Sequence, residues 1–310
     1  MKLFLTGASG FVGSAFAKAA SRRGHHVTGI VGAFVGTLPG VNENRSLDLT
    51  DDAALTSAIL DTFPDAIVNC AAVAEPARCD ADPARAQALN VALPATLARL
   101  AHHLSAKFIH LSSEQVFDGA SATPYSLQSS PKPINLYGRQ KLESERLVHA
   151  AAPEFAITLR APLLAGNSLS GTRSLHERLF ADWSAGKTPR AFSDEIRQPC
   201  TAANLADLML ELLERNDACG VYHWAGADAL SRLEIARRVR AHFKLSETAA
   251  PIEAMTRAAD PRAASKRQAT LTLDLKPLAG KVKTPIETFD AQLDQLIIPP
   301  AFRAWYFTQA

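Results

Sequence analysis

The chain has 310 residues, 47% of them hydrophobic, enough to bury a large core in one domain or two. Its 33 basic and 31 acidic residues leave a net charge of +2, so the charge balance points to neither a nucleic-acid nor a membrane partner. The four cysteines, Cys70, Cys79, Cys200 and Cys219, lack the spacing of a zinc site or a disulfide framework and fit a reducing compartment.

Lys2 to Leu5 is a short apolar run that reads as a buried strand, Thr6 to Gly13 as a glycine-punctuated turn, and Ser14 to Arg23 as an Ala-rich helix. A strand, a tight turn and a helix start make an anion site, because the first helical amides have no partner and the helix dipole adds positive charge. Gly7 permits the turn, Gly10 lets backbone approach a pyrophosphate, and Gly13 lets helix and strand pack closely. The spacing Gly7-x-x-Gly10-x-x-Gly13 differs from the common dinucleotide fingerprint by one residue in its first interval.

His26 to Val31 is a second strand and runs into Gly32-Ala33-Phe34-Val35. An acid there would bond the ribose hydroxyl of NAD and repel the 2′-phosphate of NADP. None appears before Glu43, which permits NADP, yet no Arg or Lys follows the strand to hold that phosphate; Arg22 and Arg23 precede it, at its far end. NADP is the preferred expectation and NAD stays open. Asp48 can accept from an adenine amino group, and Asp51 can serve equally as the cap of a helix reaching about Phe63. Ala66 to Ala72 is a third apolar strand, whose small residues Cys70, Ala71 and Ala72 let a flat ring lie against backbone or simply fill an Ala-rich core. Pro83 to His103 reads as one long helix with Asn90 on its packed face, either bonding backbone near a cofactor or solvated.

Lys107 to Leu111 is a fourth strand ending in Ser112-Ser113. Strands alternating with helices imply an α/β, Rossmann-type doubly wound parallel sheet that binds ligands beyond its strand ends. Asp118 to Pro133 is a Ser- and Pro-rich loop, and a helix runs from about Asn135 to Ala151. Tyr137 and Lys141 lie one turn apart on one face of it. A lysine ammonium near a phenol lowers the phenol pKa from about 10, which suits Tyr137 to acid–base work on a carbonyl, with Ser113 donating to the same oxygen.

These motifs together resemble an extended short-chain dehydrogenase/reductase, and within that superfamily the dTDP-4-dehydrorhamnose reductase group of sugar-nucleotide enzymes. Thr6-Gly-Ala-Ser-Gly-Phe-Val-Gly13 matches the group's glycine motif, Tyr137-Gly-Arg-Gln-Lys141 its Tyr and Lys, and Ser112-Ser-Glu-Gln-Val-Phe-Asp-Gly119 its strand-end motif. Leu159-Arg-Ala-Pro162, Asn204-Leu-Ala-Asp207 and Gly220-Val-Tyr-His-Trp-Ala-Gly226 resemble later landmarks, so the likeness spans nearly the whole chain. It implies reduction of a 4-keto sugar nucleotide by NADPH or NADH, with Ser113, Tyr137 and Lys141 catalytic. The implied cofactor contacts are Gly7, Ser9, Gly10, Phe11, Val12 and Gly13, then Asp48, Leu49, Cys70, Ala71, Ala72 and Asn90, with Tyr137 and Lys141 again. Ser113, Glu114, Asn135 and Arg197 are the implied substrate contacts, Arg197 facing the diphosphate with Arg262 and Lys266 behind it. Residues 1–160 with about 201–226 would form the dinucleotide-binding part, and 161–200 with 227–310 a smaller mixed α/β substrate lobe.

Departures from the group narrow the chemistry. The related 4,6-dehydratases carry an Asp-Glu pair where Glu114 and Gln115 stand here, and an amide is no base, so dehydration is not expected. Some reductases place a magnesium-linked Glu where Ser14 and Ala15 stand, so no metal is expected. An NAD-dependent epimerase is one alternative; a non-catalytic subunit resembling the regulatory subunit of methionine adenosyltransferase is another. Trp305, Tyr306 and Phe307 fit a docked tail or a homodimer contact better than a ligand platform. With no membrane-length apolar run and no signal-peptide pattern after Met1, a cytoplasmic protein is expected.

Overall fold

The strand β1 (Lys2–Thr6) is buried from Leu3 onward, and its alternating side chains enter different cores. Leu3 and Leu5 join one apolar cluster with Phe16 of helix α1 (Phe11–Arg22), while Phe4 joins another with Ile67, Leu97 and Phe108. A strand buried on both faces is the signature of a parallel sheet covered by helices. The computed structural model, which describes residues 1–260 and 265–309, shows that sheet.

It has seven strands. In chain order these are β1, β2 (His26–Val31), β3 (Glu43–Ser46), β4 (Ala66–Asn69), β5 (Lys107–Ser113), β6 (Ala156–Ala161) and, after shorter strands outside this sheet, Gly220–His223. From one edge to the other they run Gly220–His223, β6, β5, β4, β1, β2, β3, and every pairing is parallel. Strand β3 was not anticipated from the sequence. Its residues Glu-Asn-Arg-Ser are mostly exposed, as an edge strand allows, and lack the apolar run that marks the others.

The sheet is flanked by α1, α2 (Asp52–Thr62), short α3 (Pro76–Ala81), α4 (Pro83–Gln87), α5 (Leu93–Leu104) and α6 (Leu136–Ala151), with Ala202–Glu214 packing beside α1. Asp51 resolves as the cap of α2, accepting from the Ala54 amide at 3.0 Å. The expected helix over 83–103 is interrupted by a π turn at Ala88–Ala92, where the Leu93 amide reaches back to the Ala88 carbonyl. Pro94 gives the cause: it has no amide to offer the Asn90 carbonyl and its ring crowds that turn.

A separate apolar cluster has Phe180, Trp183, Leu233, Ile235 and Phe243 among its members. Trp305 and Tyr306 pack on it, and the Tyr306 hydroxyl donates to the Phe243 carbonyl at 3.0 Å; Phe307 stays exposed. Among the described residues no helix is long and apolar enough to cross a membrane.

Two buried polar chains fasten α6 to the sheet. In one, the Thr6 hydroxyl donates to Asn69 (2.7 Å), Asn69 pairs with His110 (3.2 Å), and His110 with Ser144 of α6 (2.9 Å). In the other, Arg160 of β6 grips Glu145 of α6 through Nε and Nη2 at 2.9 and 2.7 Å, and Ser112 of β5 donates to the same carboxylate. Removing one partner of such a buried pair strands the other's charge. Arg160→Ala is expected to destabilise the fold by about 3–5 kcal/mol in urea unfolding; a change below about 1 kcal/mol would show that the pair does not hold the helix.

Candidate active site

Strands β1 and β4 end side by side at Thr6 and Asn69, and β5, paired there at His110, runs three residues further to Ser113. The strand order reverses between β1 and β4, and open α/β sheets present a crevice there. A cleft of about 1150 Å³ opens beyond these ends. Its wall takes in Gly7, Ser9, Gly10, Phe11 and Val12; Asp48 and Leu49; Cys70, Ala71 and Ala72; and Ser113, Glu114, Asn135, Tyr137, Lys141 and Arg197. Gly13 and Asn90 are absent from the wall and act from behind it.

Gly7 turns with φ +67°, a left-handed conformation that glycine adopts without strain. A Cβ on Gly13 would lie 2.1 Å from the Gly7 carbonyl oxygen, so the helix start sits directly on the turn. At Gly10 the crowding atom is also that carbonyl, at 2.9 Å, so its glycine serves the turn itself as well as any ligand. Gly10 caps α1 without a side-chain bond, and the first turn holds no acid. The result is a helix end whose amides and dipole face the cleft uncompensated, which suits the phosphates of a dinucleotide.

Asn90 resolves as a buried clamp. Its side chain accepts from the Val73 amide (2.9 Å) and donates to the Val73 carbonyl (3.1 Å) and to Gln140 Oε1 (2.9 Å). It thereby ties the segment after β4 to α6. Asp48 turns back on Thr50, accepting from its amide and hydroxyl at 3.0 and 2.8 Å, which holds its carboxyl below the usual range.

Asn135 caps α6, accepting from the Gly138 amide at 2.8 Å, while its amide donates to Gln115 and to the Lys266 carbonyl. Gly138 was overlooked in the sequence: a Cβ there would fall 2.2 Å from the Gln115 carbonyl oxygen, so glycine lets α6 press against the turn after β5. That approach brings Tyr137 beside Ser113. The Lys141 ammonium donates to the Leu111 carbonyl at 2.7 Å and lies 5.9 Å from the Tyr137 ring centroid.

The expected lowering of the Tyr137 pKa by Lys141 is not what the site does. Tyr137 is buried, and loss of water pushes its phenol well above the ordinary value; the Ser113 hydroxyl pulls it down, while Cys79 and Glu114 add to the rise. Burial also lowers Lys141, to about 8, against the upward pull of Glu145. The phenol is therefore protonated at neutral pH, the state of a proton donor.

Arg197 also needs correcting. Its Nη1 donates to the carbonyls of Ile196 (2.7 Å) and Ala269 (3.2 Å), its Nη2 to Gln268 (2.9 Å), and its Nε faces Glu114 at 3.6 Å. A guanidinium so committed braces the wall and has little left for a phosphate. The sequence reading missed Arg232, whose Nη1 is buried without a partner in the cleft wall, and Arg173 and Arg178 beside it in that wall. Nothing in the sequence marks them as a group, because Arg173 and Arg178 flank the start of the helix Leu175–Ser184 and Arg232 comes from a segment more than fifty residues later. Lys266 reaches Asp80 of α3 at 2.8 Å, and Arg262 lies outside the described residues.

A family model described as the RmlD substrate binding domain matches residues 1–300. The chain belongs to that family. Among its relatives, methionine adenosyltransferase 2 subunit beta of Xenopus laevis is 33% identical over 249 residues, covering 79% of this chain and 72% of the relative. The dTDP-4-dehydrorhamnose reductase of Mycobacterium tuberculosis (strain H37Rv) is 30% identical over 242 residues, covering 77% and 74%. A solved structure from Sulfolobus tokodaii, described as a hypothetical dTDP-4-dehydrorhamnose reductase, superposes with TM-score 0.79 at 27% identity, over 96% of this chain and all of that one. In this RmlD-family chain the contact of Gly13 with Gly7 is the feature on which the anion cradle rests. Gly13→Ala is expected to weaken binding of a nicotinamide dinucleotide at least about tenfold in calorimetric titration, a loss of about 1.4 kcal/mol; unchanged affinity would remove the cradle.

Proposed function

We propose that the protein is an NAD(P)H-dependent reductase of a 4-keto sugar nucleotide, of the kind named by its dTDP-4-dehydrorhamnose reductase relatives. The observation that carries this reading is a buried Tyr137 in the same cleft wall as Ser113 and Lys141, beyond an uncapped helix start. A nicotinamide dinucleotide held by its pyrophosphate at Gly7–Gly13 would supply the hydride. Ser113 then orients the carbonyl oxygen, and Tyr137 gives it a proton as negative charge builds there. The Lys141 ammonium stabilises the phenolate left behind, which Tyr137's high pKa otherwise disfavours.

Arg232, Arg173 and Arg178 suit the substrate's diphosphate, Arg232 best because one of its nitrogens has no protein partner. NADP is favoured over NAD because the wall at the end of β2 is formed by Gly32 and Ala33, with Ser46 of β3, and none carries the negative charge that would repel a 2′-phosphate. The regulatory-subunit alternative draws on the likeness to the Xenopus laevis protein; the assembled Ser113, Tyr137 and Lys141 favour catalysis. Residues 1–160 with 201–226 carry the cofactor in this reading, and the remainder the substrate.

Tyr137→Phe is expected to lower kcat for NADPH oxidation with dTDP-4-dehydrorhamnose by about 10²–10⁴-fold while NADPH still binds; undiminished turnover would sink the mechanism. The Lys141 ammonium exists below about pH 8 and is lost above it, so wild-type turnover should fall as pH rises through that value. Lys141→Met should be slow throughout and lack that limb.

A further inference from the structure

Glu114 is a buried acid beside the reaction centre that the proposed reduction does not use. It follows Ser113 directly, lines the cleft, and is only 4% exposed. Its Oε1 faces Arg197 Nε at 3.6 Å, but its Oε2 is buried with no hydrogen-bond partner. A buried carboxylate oxygen left unpaired is costly, and such groups call for an explanation in the work of the site. Arg197 cannot satisfy it, because both terminal nitrogens of that guanidinium donate to backbone carbonyls. Glu114 is also near enough to Tyr137 to raise its pKa.

We propose that Glu114 is a base toward the carbon beside the keto group, so that the site also exchanges one α-hydrogen of its keto sugar with solvent. This rests on the keto-sugar reading above. A carbonyl held by Ser113 and Tyr137 acidifies the neighbouring C–H bonds, as in enolisation generally. In the step, the α C–H bond breaks and its proton goes to Glu114 Oε2. The freed electron pair forms the carbon–carbon double bond, and the carbonyl π pair moves to oxygen, which takes the Tyr137 proton. A solvent-derived proton from Glu114 then adds back to the carbon as the enol oxygen returns its proton to Tyr137, which restores the ketone, so no oxidant or reductant is consumed. Burial raises Glu114 to about 7 against the lowering pull of Arg197, Arg232 and the Leu163 backbone, which suits a base at neutral pH.

The neighbouring side chain limits the outcome. Gln115 is an amide, and its Oε1 accepts from Asn135 at 3.0 Å. With one base on one face, the proton leaves and returns on the same side, so neither inversion nor elimination of water should follow.

The test uses the whole protein with dTDP-4-dehydrorhamnose in D2O without reduced nicotinamide, read by proton NMR and mass spectrometry. The expected result is uptake of one deuterium beside the carbonyl at least about 10²-fold faster than in the enzyme-free control, with configuration retained. Glu114→Gln should return the rate to the control, and Glu114→Asp should give a slower exchange if the Gln variant does not fold. Exchange no faster than the control, in protein that oxidises NADPH with the same substrate in water, overturns the inference and leaves the reductase reading intact. Undiminished exchange in Glu114→Gln, or an inverted product, overturns it as well. Neither exchange nor NADPH oxidation would overturn both.

Discussion

The grip of Arg160 on Glu145 is the contact through which the rest of the site is registered. Arg160 belongs to β6, Glu145 to α6, and Ser112 of β5 donates to the same carboxylate. Tyr137 and Lys141 lie two turns and one turn before Glu145 on that helix, so whatever fixes Glu145 fixes them. Apolar packing alone would let α6 slide along the sheet, since apolar contact is non-directional. Charge-assisted bonds with a fixed fork geometry do not. The chain from Thr6 through Asn69 and His110 to Ser144 adds a second, independent fastening, and both run through the strand ends that frame the cleft.

Much of this was legible in the sequence where local chemistry speaks for itself. The glycine turn, the apolar strands β1, β2, β4 and β5, and the helix carrying Tyr137 and Lys141 each have a pattern written within a dozen residues. Strand β3 has none, because an exposed edge strand does not need apolar side chains. The π turn required noticing that Pro94 sits four residues after Asn90 in an otherwise good helix.

The site residues divide the same way. Ser113, Tyr137 and Lys141 are read from spacing, but their protonation is not. Lys141 beside Tyr137 suggested a lowered phenol pKa; burial dominates instead and pushes the phenol up. Arg197 looked available because a sequence cannot show that its nitrogens are spent on the carbonyls of Ile196, Gln268 and Ala269. Arg232 looked ordinary because only the fold sets it among Arg173 and Arg178 in one wall. Long-range satisfaction of donors and acceptors is the information that a one-dimensional pattern does not contain.

The bridge between Lys266 and Asp80 across the cleft has a kinetic meaning. Both side chains are wetted, at 68% and 39% exposure, and an ion pair in that setting contributes only about 0–1 kcal/mol. The two walls therefore meet through a bond that thermal motion breaks readily. Traffic into and out of the cleft faces no toll from that bridge, and tightness, where it is needed, has to come from the ligand.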